Sequence, residues 1–230
     1  WVTYAADTDL FAARPDGSGR RNLTSAVTPQ AVSANWAPDS SKLTFYTVDA
    51  SSGEELTDIW VVNADGTGAR NLTSSPAINE SFPSFSPDGE RIAYFQAGRG
   101  NNGQELWVMN ADGSNKKRLA TNAIAYGPAQ WSPDAGTRIL YTVAGASVRQ
   151  VAVINADGTG QKQLTQGDDA NGGGDHAAWA PDGVKITFTA HFDFGPPEPM
   201  LANADGTGAV RLARGRSVPT HNGPRPWPIW

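Results

Sequence analysis

The sequence predicts an all-β protein, a five-bladed β-propeller of four-stranded antiparallel blades. Three observations carry that reading. The tetrapeptide Asn63-Ala64-Asp65-Gly66 returns at Asn110-Ala111-Asp112-Gly113, Asn155-Ala156-Asp157-Gly158 and Asn203-Ala204-Asp205-Gly206, with a weaker copy at Arg14-Pro15-Asp16-Gly17. The successive aspartates are 49, 47, 45 and 48 residues apart, and a period in the forties holding several short strands is the signature of a propeller. A second turn recurs in register with the first, as Pro38-Asp39, Pro87-Asp88-Gly89, Pro133-Asp134 and Pro181-Asp182-Gly183. Lastly, the two ends of the chain read as complementary parts of one blade.

One unit justifies its elements in order. Residues 82–86 form a short strand, and Pro87-Asp88-Gly89 turns it: proline fixes φ at the entry and glycine accepts a positive φ at the exit. Residues 91–95 are a second, apolar strand, and a polar loop spans 96–104. Residues 105–110 are a third strand, and Asp112-Gly113 folds it onto a fourth at 117–119, because Asp-Gly between β-prone runs is a strong hairpin signal. The aromatics Trp36, Phe85, Trp131 and Trp179 recur at one position and are expected to pack blade on blade. Arg21, Arg70, Lys117, Lys162 and Arg211 fall on the outer strand, where charge opposes edge-to-edge association.

The ends close the ring. Residues 1–4 match a second strand, and 224–228 match a first strand with Trp227 at the repeated aromatic position. The N-terminal strands then pair with the C-terminal strand, which removes the open sheet edge. The expected organisation is a single domain over 1–230, with blades at 224–230 plus 1–24, 33–73, 82–120, 128–165 and 176–213.

Composition narrows the partners. A formal charge of −5 argues against a nucleic-acid backbone. No apolar run approaches the roughly 20 residues of a membrane span. With no cysteine there is neither a disulfide framework nor thiolate chemistry. The chain starts at Trp1, which fits either a mature chain whose leader has been removed or a piece of a longer one. No motif points to an organic cofactor, and a monomer is expected.

With these motifs in place, the pattern Asn-Ala-Asp-Gly-Thr-Gly, then a Leu-Thr strand, then Phe85-Ser86-Pro87-Asp88-Gly89 or Trp131-Ser132-Pro133-Asp134, resembles the TolB-type PD propeller repeat, which is WD-repeat-like. The resemblance covers essentially the whole chain. It implies the propeller fold, protein or peptide binding, and an extracytoplasmic location, periplasmic or secreted. The TolB propeller has six blades and an additional N-terminal domain, whereas five blades are expected here. Similar repeats occur in oligogalacturonate lyases and in the propeller domains of prolyl-oligopeptidase-like peptidases. No Gly-x-Ser-x-Gly elbow is present, so peptidase chemistry is not expected.

Function should lie where the repeats differ, in the loops at 48–58, 96–104, 165–175, 191–199 and 214–223, because binding residues concentrate on loops carried by a rigid scaffold. All three histidines, His176, His191 and His221, fall on that side. With Asp175 they make a candidate site for one divalent metal, Mn, Fe, Zn or Cu, since imidazole and carboxylate ligands suit those ions. The resembled lyases use histidine-bound metal on such a face. A calcium alternative is Asp168, Asp169, Asn171 and Asp175, where glycines bend a run of oxygen ligands. Phe192, Phe194, Arg99, Glu54 and Glu80 are expected to line the ligand face. Two functions stay open. One is a binding module holding a peptide, a protein, a saccharide or another small ligand, with or without the metal. The other is a metal-dependent enzyme, lyase-like or oxidative, on the same histidines. For an acidic-sugar lyase the candidate loops offer only Arg99, Arg149, Arg214 and Arg216. No catalytic residue is assigned.

Overall fold

A computed structural model describes residues 1–51, 53, 55–98, 103–146, 148–167, 173–192 and 196–212. Among them every regular element is a strand, every strand pairing for which a register is defined is antiparallel, and no helix is long and apolar enough to cross a membrane. The chain divides into two compact units, Trp1–Thr121 and Asn122–Trp230.

The first unit holds a three-stranded sheet, β1 (Val2–Ala6), β2 (Asp9–Ala13) and β3 (Arg21–Asn22). A four-stranded sheet follows, made of β4 (Gln30–Trp36), β5 (Lys42–Asp49), β6 (Leu56–Asn63) and β7 (Arg70–Asn71). Next come β8 (Ile78–Phe85), β9 (Arg91–Gly98), β10 (Gln104–Asn110) and the start of β11 (Lys117–Ile124). In the second unit Ala123 and Ile124 of β11 pair with β13 (Arg138–Ala144), which also pairs with β12 (Gln130–Trp131) and β14 (Arg149–Asn155). Strand β15 (Lys162–Gln163) borders β14. The last sheet runs β16 (Gly173–Trp179), β17 (Lys185–His191), β18 (Glu198–Asn203) and β19 (Val210–Arg211).

The repeated tetrapeptide explains the outer hairpins. Gly66 closes its turn by donating its N–H to the Asn63 carbonyl at a φ of 87°. Asp65 Oδ1 accepts the backbone N–H of Thr67 at 2.9 Å and its hydroxyl at 2.7 Å. Glycine is required twice over, because a Cβ there would lie 2.9 Å from the Asn22 carbonyl of the preceding sheet. In the second unit a Cβ on Gly206 would lie 2.5 Å from the Leu164 carbonyl. The turn of one sheet is therefore packed directly on the outer strand of the sheet before it.

The Leu-Thr motif holds the outer strands. Thr73 Oγ1 accepts from the Ile59 N–H at 3.0 Å and donates to Asp58 at 3.1 Å, while Asn71 Nδ2 donates to the other Asp58 oxygen at 2.9 Å. Asp9, Asn22 and Thr24 repeat the arrangement, and in the second unit Gln150 takes the aspartate's place beside Thr165. The outer-strand cations have specific partners: Arg70 donates to the Asp112 carbonyl at 2.9 Å, and Lys162 Nζ to that of Asp205 at 2.8 Å.

Core formation follows the alternation of the strands. One cluster in the first unit contains Leu10, Leu23, Leu43 and Phe45, and a second contains Ile59, Leu72, Phe85 and Tyr94. In the second unit Leu140, Val151, Trp179, Ile186 and Phe188 form the core. The repeated aromatics Phe85, Trp131 and Trp179 are buried and Trp36 is half-buried, as packing residues should be. Strands run further than their sequence signals. Strand β8 begins at Ile78, and β9 continues to Gly98.

Candidate functional site

The candidate site is built on a bulge. Strand β16 pairs with β17 from Gly173, opposite His191, and shifts register between Asp175 and Ala178. The residue in the shift, His176, has a φ of 51°, and the equivalent residues Ser33 of β4 and Phe82 of β8 have 55° and 50°. In a regular strand neighbours point to opposite faces, and a left-handed residue inside a bulge breaks that alternation. Asp175 and His176, adjacent in sequence, therefore meet side chain to side chain, with His176 Nδ1 2.6 Å from Asp175 Oδ1.

Two further residues converge on the same carboxylate. His191 ends β17 and brings Nε2 to 2.8 Å from Asp175 Oδ1. Arg149 opens β14 and donates from Nη1 to Asp175 Oδ2 at 3.0 Å. Glycine at 173 permits that approach, because a Cβ there would lie 2.3 Å from the Arg149 carbonyl. The Arg149 guanidinium lies 4.2 Å from the ring centroid of Tyr126, whose ring is 6.1 Å from that of His176. Asp175 is fully buried, whereas the side chains of Arg149, His176 and His191 are 44%, 23% and 30% exposed.

The electrostatics follow from this placement. Burial alone pushes the Asp175 carboxyl up. The hydrogen bonds from His191 and His176, and the charge those rings can carry, outweigh burial and hold it at about 2. An ionised carboxylate only accepts, so His176 Nδ1 and His191 Nε2 are the protonated nitrogens. Asp175 thus fixes the orientation of three cationic or potentially cationic groups whose outer parts reach solvent.

Asp175, His176 and His191 each offer one ligand atom, all within 4.8 Å of one another, and two imidazoles with a carboxylate suit Zn, Mn, Fe or Cu. Ligands at ~2.1 Å from a common ion stand roughly 3 to 3.4 Å apart. The 2.6 and 2.8 Å separations are those of direct hydrogen bonds. The residues fit a divalent ion by type, on loss of the two inward protons.

Asp175, His176 and His191, grouped from the sequence, are brought together, with His176 inside β16. His221 lies outside the described residues, as do Asp168, Asp169, Asn171, Phe194, Arg99 and Glu54. Asp175, the described member of the calcium set, has both oxygens engaged by the histidines and Arg149. Phe192 packs against the second-unit core beneath the Arg211 guanidinium, 5.2 Å from its ring centroid.

The sequence places Glu80 on the ligand face, but it is 2% exposed. Strand β8 starts before it and pairs Glu80 with Gln96, so the residue belongs to a strand and not to a loop. Burial pushes its carboxyl up to about 7, and the Asp58 carboxylate adds to the rise. Hydrogen bonds from Ser75 and Thr73 and the charge of Lys116 pull the other way. Two members of the cluster escaped the sequence grouping. Arg149 was weighed only as a loop cation. Tyr126 sits in a stretch, Ala125-Tyr126-Gly127-Pro128, that interrupts pairing between Ile124 and Gln130, and a Gly-Pro break was its one signal.

A family model for the TolB beta propeller domain matches residues 2–230. The chain belongs to the TolB β-propeller domain family. No curated protein matches it in sequence. Among solved structures it is similar to TolB from Acinetobacter baumannii, with 19% identity, a TM-score of 0.66 and coverage of 89% of this chain and 48% of that one. An oligogalacturonate lyase in complex with manganese gives 16% identity and a TM-score of 0.72 over 92% of this chain and 61% of the lyase. A puromycin hydrolase gives 18% identity and a TM-score of 0.71 over 90% of this chain and 35% of that one. At these identities the likeness is one of fold, and this TolB-family chain spans about half the length of the Acinetobacter TolB and under two thirds of the lyase.

Proposed function

We propose that the chain is a TolB-type binding module whose ligand face centres on Arg149, His176 and His191. Its ligand is a peptide or protein segment that presents a carboxylate. The observation that supports this most is the buried Asp175, which holds two imidazoles and a guanidinium in fixed positions with their outer parts exposed. The Arg149 guanidinium, already ordered by a buried carboxylate, needs little further ordering when a ligand arrives, which favours affinity. Tyr126, 41% exposed beneath Arg149, adds an aromatic surface beside the charge. An array of short peptides with free or amidated acidic groups tests the reading. Wild-type protein should retain acidic peptides, and amidation or Arg149→Ala should each reduce retention at least tenfold. Equal retention by Arg149→Ala would reject it.

A second reading is a metal-dependent enzyme on the same residues, for which the three-ligand donor set is the supporting observation. Elemental analysis after loading with Mn or Zn should find about one ion per chain in the wild type and none in His191→Ala. A wild type that takes up no ion rejects it.

The remaining proposals concern assembly. We propose that the sheets form one five-bladed ring over 1–230, closed where 224–230 supplies an inner strand beside β1. Support comes from the first sheet, in which β1 is an edge strand among the described residues and only three strands are present against four in β4–β7. Deleting 224–230 should lower the Tm by several degrees, and an unchanged Tm would count against closure. The module is further proposed to be a monomer outside the cytoplasm, periplasmic or secreted.

A further inference from the structure

Arg149 and His191 lean on the same buried carboxylate, one on each oxygen. Arg149 Nη1 donates to Asp175 Oδ2 at 3.0 Å, and His191 Nε2 donates to Oδ1 at 2.8 Å. Each group has a second side turned away from Asp175, and both side chains are partly exposed.

Those outer sides differ in kind. A guanidinium carries N–H groups and no acceptor, so the rest of Arg149 is a donor edge. An imidazole that commits its one proton to Asp175 keeps a lone pair on the opposite nitrogen. In the neutral ring His191 Nδ1 is therefore an acceptor. Among the described residues that ring is hydrogen-bonded through Nε2 alone, and Nδ1 is not a buried atom left without a partner.

This pairing selects a ligand pattern. The charges of Asp175 and Arg149 offset one another, so a bare anion gains little from net charge and the hydrogen-bond pattern decides what is retained. An oxyanion alone suits Arg149, but against His191 it would set lone pair to lone pair. A carboxylate with an N–H beside it satisfies both groups. The C-terminal residue of a peptide is such a unit, because its carboxylate and its own amide N–H sit on one carbon. In an internal aspartate or glutamate the side-chain torsions separate the two groups and must be frozen, at an entropic cost. Tyr126, with Arg149 4.2 Å from its ring centroid, is itself 41% exposed and offers an apolar face to the terminal side chain.

We propose that Arg149 and His191 read the free C-terminal residue of a partner peptide, Arg149 taking its α-carboxylate and His191 Nδ1 accepting its amide N–H. This rests on the carboxylate-binding reading above and adds His191 as the residue that sets specificity. Capture of a chain terminus is a recurring mode of peptide recognition.

The probe is acetyl-alanyl-phenylalanine, titrated into the full-length protein at pH 8 by calorimetry, with the ¹⁵N resonance of His191 Nδ1 followed in parallel. Saturable binding with a shift at Nδ1 is expected. The same acid methylated on its last amide nitrogen keeps the carboxylate and loses the N–H, and should bind at least fivefold more weakly. Acetyl-alanyl-aspartyl-alaninamide, whose carboxylate is internal, should also bind at least fivefold more weakly. In His191→Ala the difference between the methylated and unmethylated acids should vanish, whereas a purely structural role for His191 would weaken both and preserve their ratio. The two wild-type comparisons stand even if that variant does not fold. Binding that needs Arg149 but is equal for the methylated acid, or for the internal aspartate, would overturn this proposal and leave the carboxylate reading in place. No binding of the acid, or binding undiminished in Arg149→Ala, would overturn both.

Discussion

Glu80 and Asp175 are both carboxylates buried on the first strand of a sheet in chain order, within two residues of a bulge, yet their environments push them in opposite directions. Glu80 has one oxygen buried without a hydrogen bond, lies near the Asp58 carboxylate, and is pushed up to about 7. Asp175 receives three donors and is held at about 2. Burial is common to the two. The count of donors decides whether a buried acid is a neutral packing group or an ionised organiser of cations.

That contrast can be broken from the Asp175 side first. Asp175→Ala should cost about 3 kcal/mol in denaturant unfolding, at the low end for a broken buried ion pair because its partners are partly exposed. A loss below ~1 kcal/mol would mean that the carboxylate does not organise the cluster. The same residue sets an acid limit. Its pKa is depressed when folded, so its contribution is complete above the ordinary value of 3.8 and is lost as the pH falls towards 2, amounting to about 2 kcal/mol. Equilibrium unfolding between pH 5 and 2 should show that loss in the wild type and not in Asp175→Asn.

Glu80 gives the opposite sign. Its folded pKa is raised from 4.5 to about 7, so stability is greatest below pH 4.5 and declines as the pH rises through 7. Glu80→Gln should therefore gain about 3 kcal/mol at pH 8 and almost nothing at pH 4. An equal effect at both pH values would show that Glu80 does not titrate as described. The smallest effect belongs to the outer strands. Arg70→Ala and Lys162→Ala each remove an exposed hydrogen bond to the next turn and should cost about 0.5 kcal/mol.

Much of the fold could be read from the chain. The spacing of Asp65, Asp112, Asp157 and Asp205 is a direct record of the hairpins, because Gly66 and Gly206 are needed both for their φ and for close approach to the neighbouring sheet. Trp179 and Phe85 were legible as core for the same reason. The site was less legible. His191 and Asp175 could be grouped because strand pairing brings them together, but no residue in the sequence announces the bulge. It places Ser33, Phe82 and His176 at positive φ although none is glycine. The bulge is a property of the sheet, and it turns His176 onto Asp175. Glu80 was misread because nothing in Ile78-Asn79-Glu80 marks where loop gives way to strand. Arg149 lies 26 residues from Asp175, and only the folded sheets reveal the pairing.

An ionised Asp175 holds His176 and His191 with their protons directed inward. ¹⁵N NMR of the histidine side chains tests it most directly. At pH 7, His176 should carry its proton on Nδ1 and His191 on Nε2, each with a downfield hydrogen-bonded proton that disappears in Asp175→Ala. Rings that carry their protons on the opposite nitrogens, or proton signals that survive the substitution, would contradict it.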